Sequence, residues 1–482
     1  MADILTPDLC VIGGGSGGLT VAAAARAFDA SVVLIEKGKM GGDCLNTGCV
    51  PSKALIAAAR HAEAARIGTP FGIAAAEPKI NFGRVHGHVH QVIAGIAPHD
   101  SVERFEALGA MVLREHARFI DKKTVQAGET LIRARRFVIA TGSRAAVPPI
   151  PGLDETPFLT NETIFDLRRA PSHLIVIGGG PIGMELSQAF HRLGCEVTVI
   201  EAVDALARED RELRDIALRS IRAEGIEIRE RTRVVNAEAR GAGVAVTIQP
   251  PPDEDGHERP EEILTGTHLL VATGRAANIE DLGLDQAKVR TEKSTIRVNK
   301  GLRTSNRRIY AIGDVVGGMQ FTHLSGYHAG LVVRNALFGL PVSVAPDLVP
   351  RATYTEPEVA QVGMTEDEAK TRLKNKFKIV RWSFGENDRA RAELQTEGLV
   401  KVVFDNKGRI RGAGIAGAQA GELISLFAFA IANGLSAKHL MAFIAPYPTL
   451  SEIAKRIGTE YYRDQLSNPW LGRLIRLNRL LP

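Results

Sequence analysis

Asp8-Leu9-Cys10-Val11-Ile12-Gly13-Gly14-Gly15-Ser16-Gly17-Gly18 is the stretch that sets the fold of this chain. An apolar strand runs into Gly-x-Gly-x-x-Gly, and an Ala-rich helix follows. Glycines in that spacing permit a tight turn and let a pyrophosphate reach the backbone at the helix N-terminus, where free N–H groups favour an anion. The next predicted strand, 31–35, ends at Glu36, 23 positions after Gly13. A carboxylate there accepts hydrogen bonds from ribose hydroxyls. Gly13, Gly15, Ser16, Gly18, Glu36 and Lys37 are therefore candidate contacts of a first dinucleotide.

The same order of features recurs. A strand at 173–177 precedes Gly178-Gly179-Gly180-Pro181-Ile182-Gly183, then come a helix and a strand at 196–200 that ends at Glu201, again 23 positions after the first glycine. A lone glycine fingerprint is weak, but strand, glycines, helix, strand and acid in order, twice, predict two dinucleotide sites in one chain. Gly178, Gly180, Gly183 and Glu201 belong to the second. Two apolar runs, 137–142 and 269–274, end in Ala-Thr-Gly, and a third, 309–314, ends in Gly-Asp. Small residues at strand ends admit a ligand to the backbone, and an Asp there binds a sugar-like hydroxyl. Thr141, Gly142, Gly274, Gly313 and Asp314 join the candidates on that ground.

Shortly after Glu36 comes Gly41-Gly42-Asp43-Cys44-Leu45-Asn46-Thr47-Gly48-Cys49-Val50-Pro51-Ser52-Lys53. Two cysteines sit in a glycine-rich turn that opens onto an apolar helix predicted over 54–65. A helix N-terminus lowers a thiol pKa, and two close thiols form and break a disulfide. A redox dithiol is the first reading. A zinc site is the rival, although zinc favours shorter spacing and needs further ligands, and a structural disulfide is the third.

The chain has 482 residues, 45% of them apolar and 24% charged, which suits several soluble globular domains. Its net charge of +5 is spread along the sequence, so no nucleic-acid surface is expected. Cys10 and Cys195 fall in apolar surroundings and are expected to be buried and inert. Four cysteines in a chain of this length suit a reducing cytoplasm. No secretory signal or membrane span is predicted. Residues 145–157 read as a crossing linker and 250–262 as a charged loop. The proline-punctuated 341–357 segment leads into a region without a fingerprint. Strands are predicted there at 352–355, 378–384, 399–405 and 411–416, with a helix at about 421–433.

With these motifs the chain resembles the class I flavoprotein disulfide reductases, the family of dihydrolipoamide dehydrogenase, glutathione reductase and mercuric reductase. The resemblance covers nearly the whole chain. It implies FAD on the first fingerprint, with Gly42 and Lys53 at the flavin, and a nicotinamide dinucleotide on the second. It implies that Gly313-Asp314 meets the ribityl chain and that residues from about 348 form a dimer interface. Cys49 would face the flavin, and Cys44 would exchange with substrate. Lys53, one turn beyond Cys49, would approach flavin N5 and pair with Glu185. Glu201 would repel a 2′-phosphate, and NADP-selective relatives tend to carry a basic residue there, so NAD is favoured over NADP.

One departure bears on the acceptor. Dihydrolipoamide and glutathione reductases carry His-Pro-Thr-x-x-Glu near the C-terminus, and that His moves protons for thiol exchange across the dimer. Here the segment is Tyr447-Pro448-Thr449-Leu450-Ser451-Glu452. Tyrosine titrates near pH 10 and is a poor base at neutral pH. Mercuric reductase resembles this chain in having Tyr there. No vicinal cysteines lie near the C-terminus and no Cys-x-x-Cys precedes the first fingerprint, where mercuric reductases carry them.

The expected fold is α/β: two Rossmann-like domains, the nicotinamide domain inserted in the flavin domain, then an α+β dimerisation domain. The expected boundaries are 1–152 and 276–347 for the flavin domain, 153–275 for the nicotinamide domain and 348–482 for dimerisation. The expected enzyme passes electrons from NADH through FAD and the Cys44–Cys49 disulfide to a small-molecule or metal-ion acceptor, in the manner of dihydrolipoamide dehydrogenase. Alternatives are reduction of mercuric or other soft metal ions, NADH:quinone or oxygen diaphorase activity and, last, a flavin-binding subunit without turnover. The homodimer would share its active sites across the interface, the catalytic set being Cys44, Cys49, Lys53, Glu185, Tyr447 and Glu452.

Two weaker patterns complete the reading. His86, His88 and His90 alternate; they suit a metal site or, more simply, a solvent-facing helix. From 468 to 482 an amphipathic helix would set Trp470, Leu471, Leu474, Leu477 and Leu481 against Arg473, Arg476 and Arg479. Peripheral membrane contact and docking on the protein itself or its partner are both open for it.

Overall fold

A computed structural model describes residues 4–253, 255–464 and 469–480. Leu481 and Glu254, named or spanned in the sequence reading, lie outside these. The chain divides into two compact units, Met1–Asp204 with Ile226–Val344, and Ala205–Gly225 with Ala345–Pro482.

The first unit holds two parallel sheets built on one plan. In one, the strands run in the order Ile309–Ala311, Arg136–Ile139, Leu9–Ile12, Val32–Ile35 and Met111–Leu113. In the other the order is Glu227–Arg229, Glu196–Ile200, His173–Ile177 and His268–Val271. In each, the strand that feeds the glycines is central. The strand that leads to Glu36 or Glu201 pairs on one side and the Ala-Thr-Gly strand on the other. Strand order reverses beside the glycines, the place where open α/β sheets bind ligands. The Leu9–Ile12 and Val32–Ile35 strands are buried throughout, because a parallel sheet is covered on both faces. Phe119 and Phe137 meet edge to face in the core below the first sheet.

The predicted apolar helix at 54–65 begins earlier, at Cys49, and runs to Arg66. Pro51 is tolerated because first-turn N–H groups have no partner within the helix. Cys49 is thus the first helical residue, and a short helix, Gly42–Asn46, carries Cys44.

The second unit is built on an antiparallel sheet ordered Arg351–Thr353, Glu358–Gly363, Ile410–Gly417, Leu399–Asp405 and Phe377–Ser383. The predicted strands appear within a residue or two, and the helix spans Ala420–Ala432. Glu358–Gly363 was not predicted. Glu358 and Gln361 are both buried in it, so the run has no polar alternation to betray a strand. Leu213 and Ala217 of the Arg211–Ala223 helix pack on Val359 and Ala416 of this sheet. Lys401, nearly buried, is held by Asp210, Glu212 and Glu366, and its ammonium keeps the Glu366 carboxyl down at about 2. No helix among the described residues is long and apolar enough to cross a membrane.

Candidate active site

Both glycine loops have the geometry that close approach of a phosphate requires. Gly13 and Gly178 adopt positive φ, and a Cβ on either would lie 2.3 and 2.4 Å from the Ala140 and Ala272 carbonyl oxygens. Gly18 and Gly183 sit as tightly on the Gly13 and Gly178 carbonyls. The middle glycines differ: a Cβ on Gly15 would find only Gly42 Cα, at 3.8 Å, and one on Gly180 would find nothing within 4 Å. That open space lies at the N-termini of the Ser16–Arg26 and Pro181–Arg192 helices, neither capped by a side chain. Each is a cradle that a Cβ would fill and that suits the pyrophosphate of a dinucleotide.

The two acids act alike. Glu36 accepts from the Gly14 N–H at 2.5 Å and from Gly38; Glu201 accepts from the Gly179 N–H at 2.7 Å and from Val203. Each carboxylate thus laces its loop and retains lone pairs for a ribose. Lys37 is exposed beside Glu36, and Ser16 opens the first helix. Thr141 donates to the Asn278 carbonyl at 2.7 Å, and Gly142 and Gly274 have positive φ with open space where a side chain would stand. Gly313 donates to Nδ1 of buried His328, whose protonation burial suppresses, to about 4. Burial raises the Asp314 carboxyl, against the Ser143 hydroxyl and Arg275, which favour its charged form.

The paired-thiol turn is docked on the first loop. Gly41 donates to the Gly14 carbonyl at 2.9 Å, and a Cβ on Gly42 would come within 2.8 Å of Gly15 Cα. Cys44 and Cys49 are free thiols here. The Cys49 thiol is lowered to about 6, first by the hydrogen bond from Cys44, then by the Thr322 hydroxyl and the Lys53 charge. Cys44, the donor of that bond, is pushed far up. Of the two, Cys49 is the thiol whose ionised form is favoured. Thr322 Oγ1 stands 3.4 Å from the Cys49 sulfur. Lys53 reaches Glu185 Oε2 at 2.7 Å, joining the cysteine helix to the helix of the second fingerprint, and Glu185 is almost fully buried.

Asp43, beside Cys44, accepts from Thr47 and Asn161 and pairs with Arg275 at 3.0 Å. Arg275 also donates to Ser143, so one guanidinium ties the thiol turn to the strand after Ala-Thr-Gly. Thr322, Arg275 and Asn161 were not among the residues picked from the sequence. Arg275 directly follows Gly274, which is a local signal; Thr322 has none, lying 273 positions from Cys49.

Tyr447 and Glu452 lie in the second unit. The Tyr447 hydroxyl donates to Asp388 at 2.9 Å, which raises the phenol pKa further, and Glu452 pairs with Arg456 at 2.9 Å. Cys10 and Cys195 are buried, and burial raises both thiols, Cys195 to about 12. The half-buried His86 and His90 rings lie 4.1 Å apart, tilted by 45°, without a converging third ligand among the described residues.

Two dinucleotide cradles joined to a paired-thiol turn define the class of flavoprotein disulfide reductases. Comparison with known proteins agrees. Residues 7–329 match the family described as pyridine nucleotide-disulphide oxidoreductase, and residues 349–457 match its dimerisation domain. The chain belongs to the pyridine nucleotide-disulphide oxidoreductases. It is 33% identical to a mercuric reductase of Streptomyces lividans, over 95% of this chain and 96% of that protein. It is 35% identical to a dihydrolipoyl dehydrogenase of Thermus scotoductus, over 93% and 95%. Among solved structures it is similar to the Cu(II) complex of the HOCl-induced flavoprotein disulfide reductase RclA from Escherichia coli. The TM-score is 0.81 at 28% identity, covering 93% of this chain and 98% of that one. The protein is thus an FAD-containing, NAD(P)H-dependent oxidoreductase of the disulfide-reductase type, and its dimerisation domain makes it a homodimer.

Proposed function

We propose that Cys44 and Cys49 form the redox disulfide of this enzyme and that the acceptor is a soft metal ion or small oxidant in preference to lipoamide. The observation that carries the disulfide is the placement of the pair: Cys49 opens a helix whose N–H groups favour a thiolate, with the Thr322 hydroxyl 3.4 Å from its sulfur, and Cys44 sits on the short helix just before it. Bound FAD supplies the two-electron link between the nicotinamide and the disulfide. The chain's own residues divide the remaining work. The cradle at Gly178, Gly180 and Gly183 holds the nicotinamide dinucleotide, with Glu201 on its ribose, which favours NAD. The cradle at Gly13, Gly15, Ser16 and Gly18 holds FAD, with Glu36, Lys37, Gly42, Thr141, Gly142, Gly313 and Asp314. Lys53, held by Glu185, keeps a positive charge one helical turn from Cys49 and stabilises its thiolate. Reduction of the disulfide consumes two electrons and one proton, leaving Cys44 as the thiol and Cys49 as the thiolate; delivering the electrons and the proton to the acceptor restores it, with Cys44 as the exchanging thiol.

The domain boundaries proposed are 1–152 and 276–347 for flavin, 153–275 for nicotinamide and 348–482 for dimerisation. Each active site takes Tyr447 and Glu452 from the partner subunit. The phenol, bonded to Asp388 and kept neutral, cannot serve as a general base, which disfavours dithiol exchange. The mercuric reductase relatives and the copper-bound RclA support the soft-metal reading. The exposed 469–478 helix is offered as a contact with a membrane surface, independent of this chemistry.

NADH oxidation against lipoamide, oxidised glutathione, mercuric and cupric ions, and quinones tests the assignment. Turnover of lipoamide faster than every metal ion and quinone would reject the acceptor reading. Turnover that survives Cys44→Ser and Cys49→Ser would reject the role of the pair.

A further inference from the structure

Pro469–Asn478 is a helix with no buried residue. At 3.6 residues per turn, Trp470, Leu471, Leu474, Ile475 and Leu477 fall on one arc, and Arg473, Arg476 and Arg479 on the opposite one. Trp470, Leu474 and Leu477 are each about 70% exposed (70%, 69% and 70%). A helix of a folded domain ordinarily buries such an arc against its own core. From 469 to 480 there is no Asp or Glu, so every charge on the polar arc is positive, with Leu480 beside it at the end of the turn. The Arg473 guanidinium lies 4.9 Å over the Trp470 ring, which puts a cation and an indole together at the boundary of the two arcs. Both side chains have an apolar body with a polar tip, and both settle at the headgroup level of a bilayer.

We propose that this helix lies in the surface of a membrane rich in anionic lipid, its apolar arc at the acyl boundary and its three arginines on headgroup phosphates. The inference rests on the membrane-contact reading and adds the headgroup chemistry. Charge decides the occupant. A bilayer with anionic headgroups offers an apolar layer and negative charge in the same order as the two arcs, and needs no carboxylates placed to match.

The test is co-sedimentation of the FAD-loaded dimer with vesicles of phosphatidylcholine alone or mixed with phosphatidylglycerol, with flavin absorbance reporting the bound fraction. Binding is expected to the mixed vesicles and to weaken with salt. Replacing Arg473, Arg476 and Arg479 together by Gln should cut the partition coefficient on the order of a hundredfold, three arginines at the surface each contributing to binding. Trp470→Ser should also release the protein. Flavin content and NADH oxidation in solution confirm that each variant is folded. Equal binding to both vesicle types overturns the headgroup chemistry and leaves the membrane contact standing. No binding to either overturns both. A truncation after residue 464 that turns the dimer into a monomer by light scattering assigns the helix to a second copy of the chain, and also overturns both.

Discussion

Removal of the Thr322 hydroxyl is expected to raise the pKa of Cys49 by about one unit. Thr322 Oγ1 is 3.4 Å from the sulfur and, with a thiolate there, its O–H donates. A hydrogen bond to a charged group is worth roughly 1.5–3 kcal/mol, and one pKa unit corresponds to about 1.4 kcal/mol. Sulfur accepts weakly and Cys49 is exposed, so the lower end applies. The sign follows from the charged form: losing a donor favours the thiol, so the thiolate appears at higher pH. The measurement uses the FAD-loaded Cys44→Ser protein, in which the introduced hydroxyl can still donate and Cys49 cannot form the disulfide. A thiolate beside oxidised flavin gives a long-wavelength band, and its pH midpoint should lie near 6, the value to which Cys49 is lowered. Adding Thr322→Val, which matches the shape and removes the hydroxyl, should move the midpoint to about 7, and Thr322→Ser should return it. An unchanged or lower midpoint in the Val variant would refute the hydrogen bond as a determinant of the thiolate.

Tyr447→His should raise lipoamide turnover by roughly two to four orders of magnitude and leave flavin reduction by NADH nearly unchanged, since it restores a general base; steady-state and stopped-flow rates separate the two. NADH should reduce the flavin faster than NADPH, and Glu201→Arg should narrow or invert the preference, as read by stopped flow. Glu185→Gln should slow turnover without loss of FAD, because it removes the charge that holds Lys53 at 2.7 Å; the flavin spectrum and NADH oxidation check both halves. In light scattering the purified protein should run as a dimer, and a monomer that turns over fully would contradict shared active sites.

Much of the site was legible because its requirements are local. Gly13 is a glycine on account of its own positive φ and Gly18 on account of the Gly13 carbonyl in the same loop, so the fingerprint states its own geometry. Cys44, Cys49 and Lys53 lie within ten residues, and the helix phase places the last two on one face. The Lys53–Glu185 pair was legible only through resemblance, since 132 positions separate its members. Thr322 was not found for the same reason, its partner lying far along the chain, whereas Arg275 has its partner Asp43 as far away but follows Gly274 directly. The Glu358–Gly363 strand escaped because burial on both faces removes the alternation by which strands are recognised. Cys49 proved to open its helix where the apolar run pointed to Ala54, because apolar periodicity begins only where a helix packs, one turn after it starts.

The burial of Cys10 and Cys195 makes the chemistry of the remaining two sulfurs countable. A water-borne alkylating reagent meets only Cys44 and Cys49 in the folded protein, since the other two are 0% and 2% exposed and poorly ionised. The mass gained by the intact chain then reads directly as the redox state of one pair: no label for the disulfide, two for the dithiol. The same burial keeps the two parallel sheets out of reach of mixed disulfides. Disulfide formation by the protein's own thiols is thereby confined to the one pair that its turnover reduces again.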